Sequence, residues 1–238
     1  MGVIRDMNTV MINDLDVADA GARLVDGYTV SGSEVDMSTF QGRGRTHFSM
    51  AQADVKLKSI QFTLRFTGKS RHDVLLQKSR LDQQAASGQC ELYMPDGFYY
   101  LCVADTIGDL ALSGKDGVYV HGAADYTFNG ICHGALKEVA LTGDIKTLTC
   151  ESTAGRTDCR LSCTLSKDYE TFTLGTVTYT GVKKGQVLTA DGIEGRVLID
   201  GAPAPGNMTF IHFPYLTAGE NVITCVEPVT VSYYPTYV

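Results

Sequence analysis

The chain of 238 residues contains no tryptophan, only 6 prolines and no apolar run long enough to cross a membrane as a helix. Its first residues, MGVIRDMNTVMINDLD, also lack the basic patch and apolar core of a secretory signal. We therefore expect a soluble chain that is made in a cytoplasm and has no membrane partner.

Motifs for catalysis or metal binding are missing or incomplete. The 7 cysteines form no Cys-x-x-Cys pair. The nearest two, Cys159 and Cys163, have no adjoining histidine pair and fit one buried face of a strand better than a zinc site. Gly68-Lys69-Ser70 resembles the end of a phosphate-binding loop, but the first glycine of that motif is replaced by Thr63. We expect no catalytic residue, no cofactor and no metal.

The glycine content and the alternation of apolar and polar residues favour a mainly β fold. Glycine is abundant at 25 residues, and apolar positions alternate with polar ones in many short runs. The clearest run is 59–67, where Ile60, Phe62, Leu64 and Phe66 alternate with polar side chains. From Lys146 onward the pattern predicts only strands, enough for a β-sandwich.

One helix interrupts this pattern. Ser70 occupies an N-cap position, Asp73 completes a capping-box pattern, and Ser87-Gly88 ends the segment. Val74, Leu75 and Leu81 have helical spacing and predict the face that packs on a sheet. We therefore predict a helix over about 70–87.

The chain divides into three segments. Residues 1–25 are polar and acidic, which predicts an N-terminal arm or a single edge strand that orders against a partner. Residues 26–140 predict a β-sandwich-like domain that contains the helix. Residues 141–238 predict an all-β sandwich.

Charge is distributed unevenly between two adjacent blocks. Residues 1–40 hold seven acidic side chains against Arg5 and Arg23, whereas residues 41–80 are mainly basic. Two solvated faces that offset each other would explain this distribution. Complementary surfaces between neighbouring subunits would also explain it. Specific binding to nucleic acid is disfavoured, because the net charge is -7 and the basic block lacks interleaved aromatic residues.

The C-terminal residues carry the most specific signals. They are an Ile-Asp-Gly turn at 199–201, Phe-Pro-Tyr-Leu at 213–216, Gly-Glu-Asn-Val-Ile at 219–223 and Tyr-Tyr-Pro-Thr-Tyr at 233–237. In this order and spacing, they resemble the C-terminal domain of the distal tail (Dit) proteins of phages. Two features depart from that family: an acidic segment before Tyr28, and Tyr237 where tryptophan often stands.

The resemblance implies a structural protein at the tail tip of a long-tailed phage, synthesised in the cytoplasm of the bacterial host. It implies a homohexameric ring that is formed by residues 26–140 and joins the tail tube protein to the tail-tip hub. It also implies a galectin-like fold for residues 141–238, which would anchor receptor-binding or other adhesion devices. Arg43 and Arg45, near Gln41 to Gly44, are our candidate residues for the ring interface.

Two other functions remain open at this point. The predicted sandwich could be a carbohydrate-binding module that recognises host cell-surface glycans, although it has no tryptophan to form a sugar platform. A hydrolase with two carboxylates from separate strands is the other alternative, because such pairs leave no local motif.

Overall fold

The computed structural model describes residues 9–32, 35–40, 43, 49–55, 57–143, 145–203 and 205–238. The chain divides into two compact units. Unit 1 comprises residues 1–133 together with Val238, and unit 2 comprises Gly134–Tyr237. Unit 2 begins before the predicted boundary of 140/141, because residues 137–141 pair with a strand near the C-terminus.

Within the described residues, unit 1 is an antiparallel sheet with one helix packed on it. The helix α1 spans Arg71–Ala85. The strands are β1 Met11–Ile12, β2 Leu15–Asp16, β3 Ala22–Val30, β4 Val35–Phe40, β5 Ser49–Val55, β6 Lys58–Gly68, β7 Gln89–Tyr93, β8 Tyr99–Ile107, β9 Ala111–Lys115 and β10 Tyr119–His133. The main sheet has the order β2-β1-β7-β8-β10-β6-β3, β9 also pairs with β10, and β4 and β5 form a separate hairpin.

The core of unit 1 follows from the strand alternation seen in the sequence. Ile60, Phe62, Leu64 and Phe66 of β6 are all buried, as their spacing predicts. Alternate residues of β10 meet them across the pair, and the ring of Phe62 stacks on both Tyr126 at 5.7 Å and Phe128 at 5.8 Å. Helix α1 packs on this face through contacts with β6, β8 and β10.

The helix begins where the sequence predicts. Ser70 is the N-cap, its hydroxyl accepts a hydrogen bond from the backbone N–H of Asp73, and the Asp73 carboxylate accepts one from the N–H of Ser70. The capping box is therefore confirmed. The buried stripe differs from the predicted one: Val74, Lys78, Leu81 and Ala85 are buried, whereas Leu75 is exposed.

Residues 9–25 do not form a separate arm; of the two predicted forms, an arm or an edge strand, the edge strand is closer to the structure, because β2 and β1 lie at one edge of the main sheet. Strand β1 pairs with both β2 and β7, so this segment belongs to the main sheet. Five of its apolar side chains are buried: Val10, Ile12, Val17, Ala20 and Ala22. The side chain of Asn13 holds the segment further, because its Oδ1 accepts a hydrogen bond from the N–H of Glu91 at 3.0 Å. Residues 1–8 lie outside the described residues.

In the part of unit 2 that the structure describes, strands are joined by turns and by one 3₁₀ segment at Pro205–Asn207. The strands are β11 Lys137–Leu141, β12 Thr147–Cys150, β13 Thr157–Thr164, β14 Tyr169–Leu174, β15 Val177–Val182, β16 Val187–Asp191, β17 Arg196–Ile199, β18 Ala202–Pro203, β19 Met208–Phe210, β20 Tyr215–Leu216, β21 Gly219–Val222, β22 Val229–Tyr233 and β23 Thr236–Tyr237. The largest sheet has the order β11-β22-β13-β16-β17-β18, β14-β15-β19 form a second sheet, and β12 pairs with β21.

Both larger sheets of unit 2 contribute to one core. Leu161, Leu188 and Val231 come from the first sheet, and Phe172 and Tyr179 come from the second. Because two sheets share one buried layer, unit 2 has a β-sandwich-like fold, and the predicted mainly β class is confirmed.

Two apolar runs of unit 2 are interrupted in the structure. Residues 172–179 form a hairpin rather than one strand, because the turn at Gly175 has a φ of +60°, a conformation that glycine adopts without strain. The apolar run 208–213 is a strand only as far as Phe210. Ile211, which follows it, is 97% exposed.

Candidate assembly surfaces

Strands β8 and β10 place apolar side chains on the face of the sheet that the helix does not cover. Leu101, Val103 and Ile131 are 41%, 44% and 46% exposed. Ile131 lies directly opposite Leu101 in the antiparallel pair, and Val103 lies two residues further along the same strand. Directly paired side chains lie about 4.5–5.5 Å apart at Cβ, so these residues form one continuous surface, here called the sheet patch.

Acidic side chains border the sheet patch. Glu91 of β7 pairs with Leu101 in register, and its carboxylate lies 3.7 Å from the Nε2 of His133. Asp105 is exposed and lies two residues beyond Val103 on β8, where the pairing with β10 shifts register. An apolar surface with this border favours a partner surface that is apolar at its centre and basic at its edge.

A second exposed apolar surface lies on helix α1. Leu75 and Leu76 are 50% and 46% exposed, and they form what is here called the helix patch. One turn before and after Leu76 on the same helix lie His72 and Arg80, both exposed. Arg80 therefore gives this edge of the helix patch a positive charge that complements the acidic border of the sheet patch, while Asp73, three residues before Leu76, is also exposed.

The two patches lie on opposite sides of unit 1. Tyr126 belongs to the buried set of alternate residues in β10, and its hydroxyl donates a 2.8 Å hydrogen bond to Asp82 of the helix. The helix thus covers that face of the sheet. Ile131 belongs to the other set in the same strand, so its side chain points away from the helix.

The helix is held in place by polar groups as well as by apolar packing. The Nζ of Lys78 lies 2.7 Å from the Asp82 carboxylate and 5.7 Å from the centroid of the Tyr126 ring. Burial and the bond to Asp82 raise the pKa of the Tyr126 hydroxyl, so it remains a donor at neutral pH. These contacts orient Leu75 and Leu76 outward.

Sequence reasoning selected Arg43 and Arg45 as interface residues. Arg43 lies exposed in a turn within the segment that joins β4 to β5. Arg45 lies outside the described residues. Among the contacts between described residues, none brings Arg43 to either patch, and the role of both arginines stays a prediction.

The sequence did contain a signal for the sheet patch. In the run Tyr99-Tyr100-Leu101-Cys102-Val103, both sets of alternate residues are apolar, whereas a strand with one solvated face has polar residues in one set. Adjacent leucines at 75 and 76 are a similar signal, because two neighbouring helix positions lie about 100° apart and cannot both face one sheet.

Two other features are a possible metal site and a possible membrane-spanning helix. The residues that the structure describes contain no group of three or more His, Cys, Asp or Glu side chains that could hold a metal ion. In the same part of the chain, no helix has the length and apolarity to span a membrane.

The fold of this chain is similar to that of proteins of known structure. The SPP1 Dit protein, a paradigm of the hub adsorption apparatus in phages that infect Gram-positive bacteria, superposes with a TM-score of 0.75 at 11% sequence identity. The alignment covers 97% of this chain and 99% of that one. The chain has the fold of a phage Dit protein. The resemblance that the C-terminal motifs predicted is thereby confirmed at the level of the fold.

Further matches come from a larger phage assembly. A chain of the phage P2 baseplate, in its activated conformation with Ca, aligns with a TM-score of 0.54 and 12% identity over 95% of this chain and 97% of that one. A chain of the same baseplate with Sr gives 0.51 and 11% over 98% of each. No protein-family model and no curated protein sequence matches this sequence.

Proposed function

We propose that this protein is a structural component of a phage tail tip, where six copies form a ring that joins the tail tube to the tail-tip hub. The observation that carries this proposal is the presence of two exposed apolar patches on opposite sides of unit 1 in a chain with the Dit fold. Unit 2 would hold adhesion or receptor-binding devices. The proposal involves no catalysis.

Two different patches on opposite sides favour a ring for a geometric reason. When the helix patch of one copy contacts the sheet patch of the next, the interface is heterologous, and repeated rotation either closes a ring or extends a filament. Arg80 beside Leu76 and the acidic residues around Leu101 would set the orientation of successive copies. A pair of identical patches would give a closed dimer instead.

Single substitutions in each patch test this proposal. We expect Ile131→Glu in the sheet patch and Leu76→Glu in the helix patch each to lower the particle mass, measured by size-exclusion chromatography with light scattering, from about 154 kDa, which is six times 25.7 kDa, toward 25.7 kDa. The physical reason is that each interface would contain an unpaired carboxylate in an apolar contact.

A matched control distinguishes the loss of an assembly contact from the effect of placing a charge at any exposed apolar position. Val222 in unit 2 is 68% exposed, and Val222→Glu should leave the mass at the wild-type value. Circular dichroism must show that all three variants remain folded. The proposal fails if both patch variants assemble like the wild type.

A further inference from the structure

A pair of cysteines lies in the core of unit 1, next to the sheet patch. Cys90 of β7 and Cys102 of β8 are direct partners in the antiparallel register, and each is 2% exposed. Their Sγ atoms lie 3.7 Å apart. Both thiols are free in the structure.

The backbone at this position can accommodate a disulfide. Directly opposed residues in antiparallel strands have Cα atoms about 4.5–5.5 Å apart, which lies within the usual disulfide range of about 4.4–6.8 Å. The two sulfurs would have to approach by about 1.7 Å to reach bonding distance. Side-chain rotation and small shifts of two neighbouring strands can supply that movement.

The two thiols differ in their tendency to ionise. The contact between the two sulfurs is the main cause that lowers the pKa of Cys90. The same contact with Cys90, followed by burial, raises the pKa of Cys102. Cys90 is therefore the first of the pair to become a thiolate, and the thiolate is the form that an oxidant attacks.

We propose that Cys90 and Cys102 form an oxidisable pair, which a peroxide converts into an intrachain disulfide within the folded protein. This inference is independent of the proposed function. In the first step, the Cys90 thiolate attacks one peroxide oxygen and the O–O bond breaks, so that Cys90 becomes a sulfenic acid and the other oxygen leaves as hydroxide, which takes up the proton that the Cys90 thiol released and becomes water. In the second, the Cys102 sulfur attacks Cys90 Sγ, and the S–O bond breaks to release a second water. Overall, two thiols and one hydrogen peroxide give one disulfide and two waters.

The link would fix the strand that carries the sheet patch. Cys102 lies between Leu101 and Val103 in β8, and its side chain points into the core while theirs point outward. A disulfide would tie β8 to β7 and close the hairpin between them. Restricting the unfolded chain in this way stabilises the folded state. We expect oxidation to raise the melting temperature by about 5 °C.

Protease cleavage offers a direct test on the full-length protein. Trypsin releases both cysteines in one peptide, residues 81–115, because no lysine or arginine lies between them. A glutamate-specific protease then cuts after Glu91 and separates Cys90 from Cys102. The reduced protein is treated with hydrogen peroxide and then alkylated under denaturing conditions. Peptides 81–91 and 92–115 should remain joined, without alkylation, until dithiothreitol is added.

Cys132→Ser is the matched control, because Cys132 is buried on the same sheet but pairs in register with Tyr100. This variant should form the link and show the rise in melting temperature, whereas Cys90→Ser and Cys102→Ala should show neither. Circular dichroism checks that each variant is folded. The proposal is overturned if peroxide leaves both thiols open to alkylation. Conversion of Cys90 to a sulfinic acid with Cys102 still free would overturn it equally.

Discussion

The hydroxyl of Tyr126 donates a 2.8 Å hydrogen bond to the carboxylate of Asp82, and this bond connects the central strand of unit 1 to its helix. The two residues lie 44 positions apart in the sequence. Since Asp82 also holds Lys78, one carboxylate orients two buried side chains between helix and sheet. The outward direction of the helix patch follows from this arrangement.

Removing the hydroxyl should destabilise unit 1. We expect Tyr126→Phe to lower the free energy of unfolding by about 1–3 kcal/mol, because Asp82 would lose a hydrogen bond in a partly buried site. Urea unfolding followed by circular dichroism measures the change. Tyr119 lies on the same strand with its side chain half exposed, and Tyr119→Phe should be nearly neutral. Equal effects from the two variants would show that the bond to Asp82 adds nothing.

The hydrogen bonds to the Glu227 carboxylate make the stability of unit 2 depend on pH. Its carboxylate accepts hydrogen bonds from the N–H and hydroxyl of Ser166, at 3.0 and 2.6 Å, and from the hydroxyl of Tyr169 at 2.7 Å. The bonds from Ser166 are the main cause that lowers the pKa of Glu227. Folding therefore favours the ionised form. The resulting stability is complete above the unfolded pKa of about 4.3 and is lost as the pH falls through the folded pKa.

Glu227→Gln should therefore cost about 1–2 kcal/mol at pH 7 and should lose less stability than the wild type between pH 7 and pH 3. Thermal unfolding at a series of pH values measures both effects. Glu220→Gln, at an exposed position of β21, serves as the control and should follow the wild-type curve. An unchanged acid response in Glu227→Gln would refute this role.

The sequence predicted the parts of the fold that depend on local residues. The capping box of Ser70 and Asp73 involves four consecutive residues, and the alternation in β6 is visible in a single run. The buried face of the helix was less predictable. Lys78 lies inside because Asp82 and Tyr126 neutralise and cover its ammonium group, and Tyr126 comes from a distant strand. The residues next to Lys78 in the sequence therefore do not show that its side chain is buried.

The N-terminal segment shows the same limit. An acidic run with few apolar residues is typical of an exposed arm. Here the segment is part of the sheet, because β7 supplies a partner strand for β1. The two apolar patches were not predicted either. The spacing of Leu75 predicted that its side chain is in the core. In β8 both sets of alternate residues are apolar, so the sequence alone did not show which set faces the helix and which set is exposed.

Charge at the β4–β5 turn provides a separate test of assembly. We predict that Arg43→Glu combined with Arg45→Glu lowers the particle mass and makes the remaining assembly more sensitive to salt, since charge reversal would repel an acidic neighbouring surface. Light scattering over a range of salt concentrations measures this. Reversal of Lys183 and Lys184, exposed in unit 2, is the matched control. If mass and salt tolerance stay unchanged in the arginine variant, these residues are not at the interface.

A mixing experiment distinguishes a heterologous interface from a symmetric one. Ile131→Glu retains a working helix patch, and Leu76→Glu retains a working sheet patch. Each variant alone should be monomeric, while an equimolar mixture should form a heterodimer through its one intact pair of patches. Native mass spectrometry with one variant isotopically labelled identifies the heterodimer. Dimers formed by either variant alone would indicate contact between identical patches and contradict the model.

The most direct test of the central claim is the mass of the purified wild-type protein in solution, measured by light scattering, with negative-stain images of the same fraction. The account predicts a particle of about 154 kDa, six times the 25.7 kDa chain, with a central hole. A strict monomer at high concentration would contradict it.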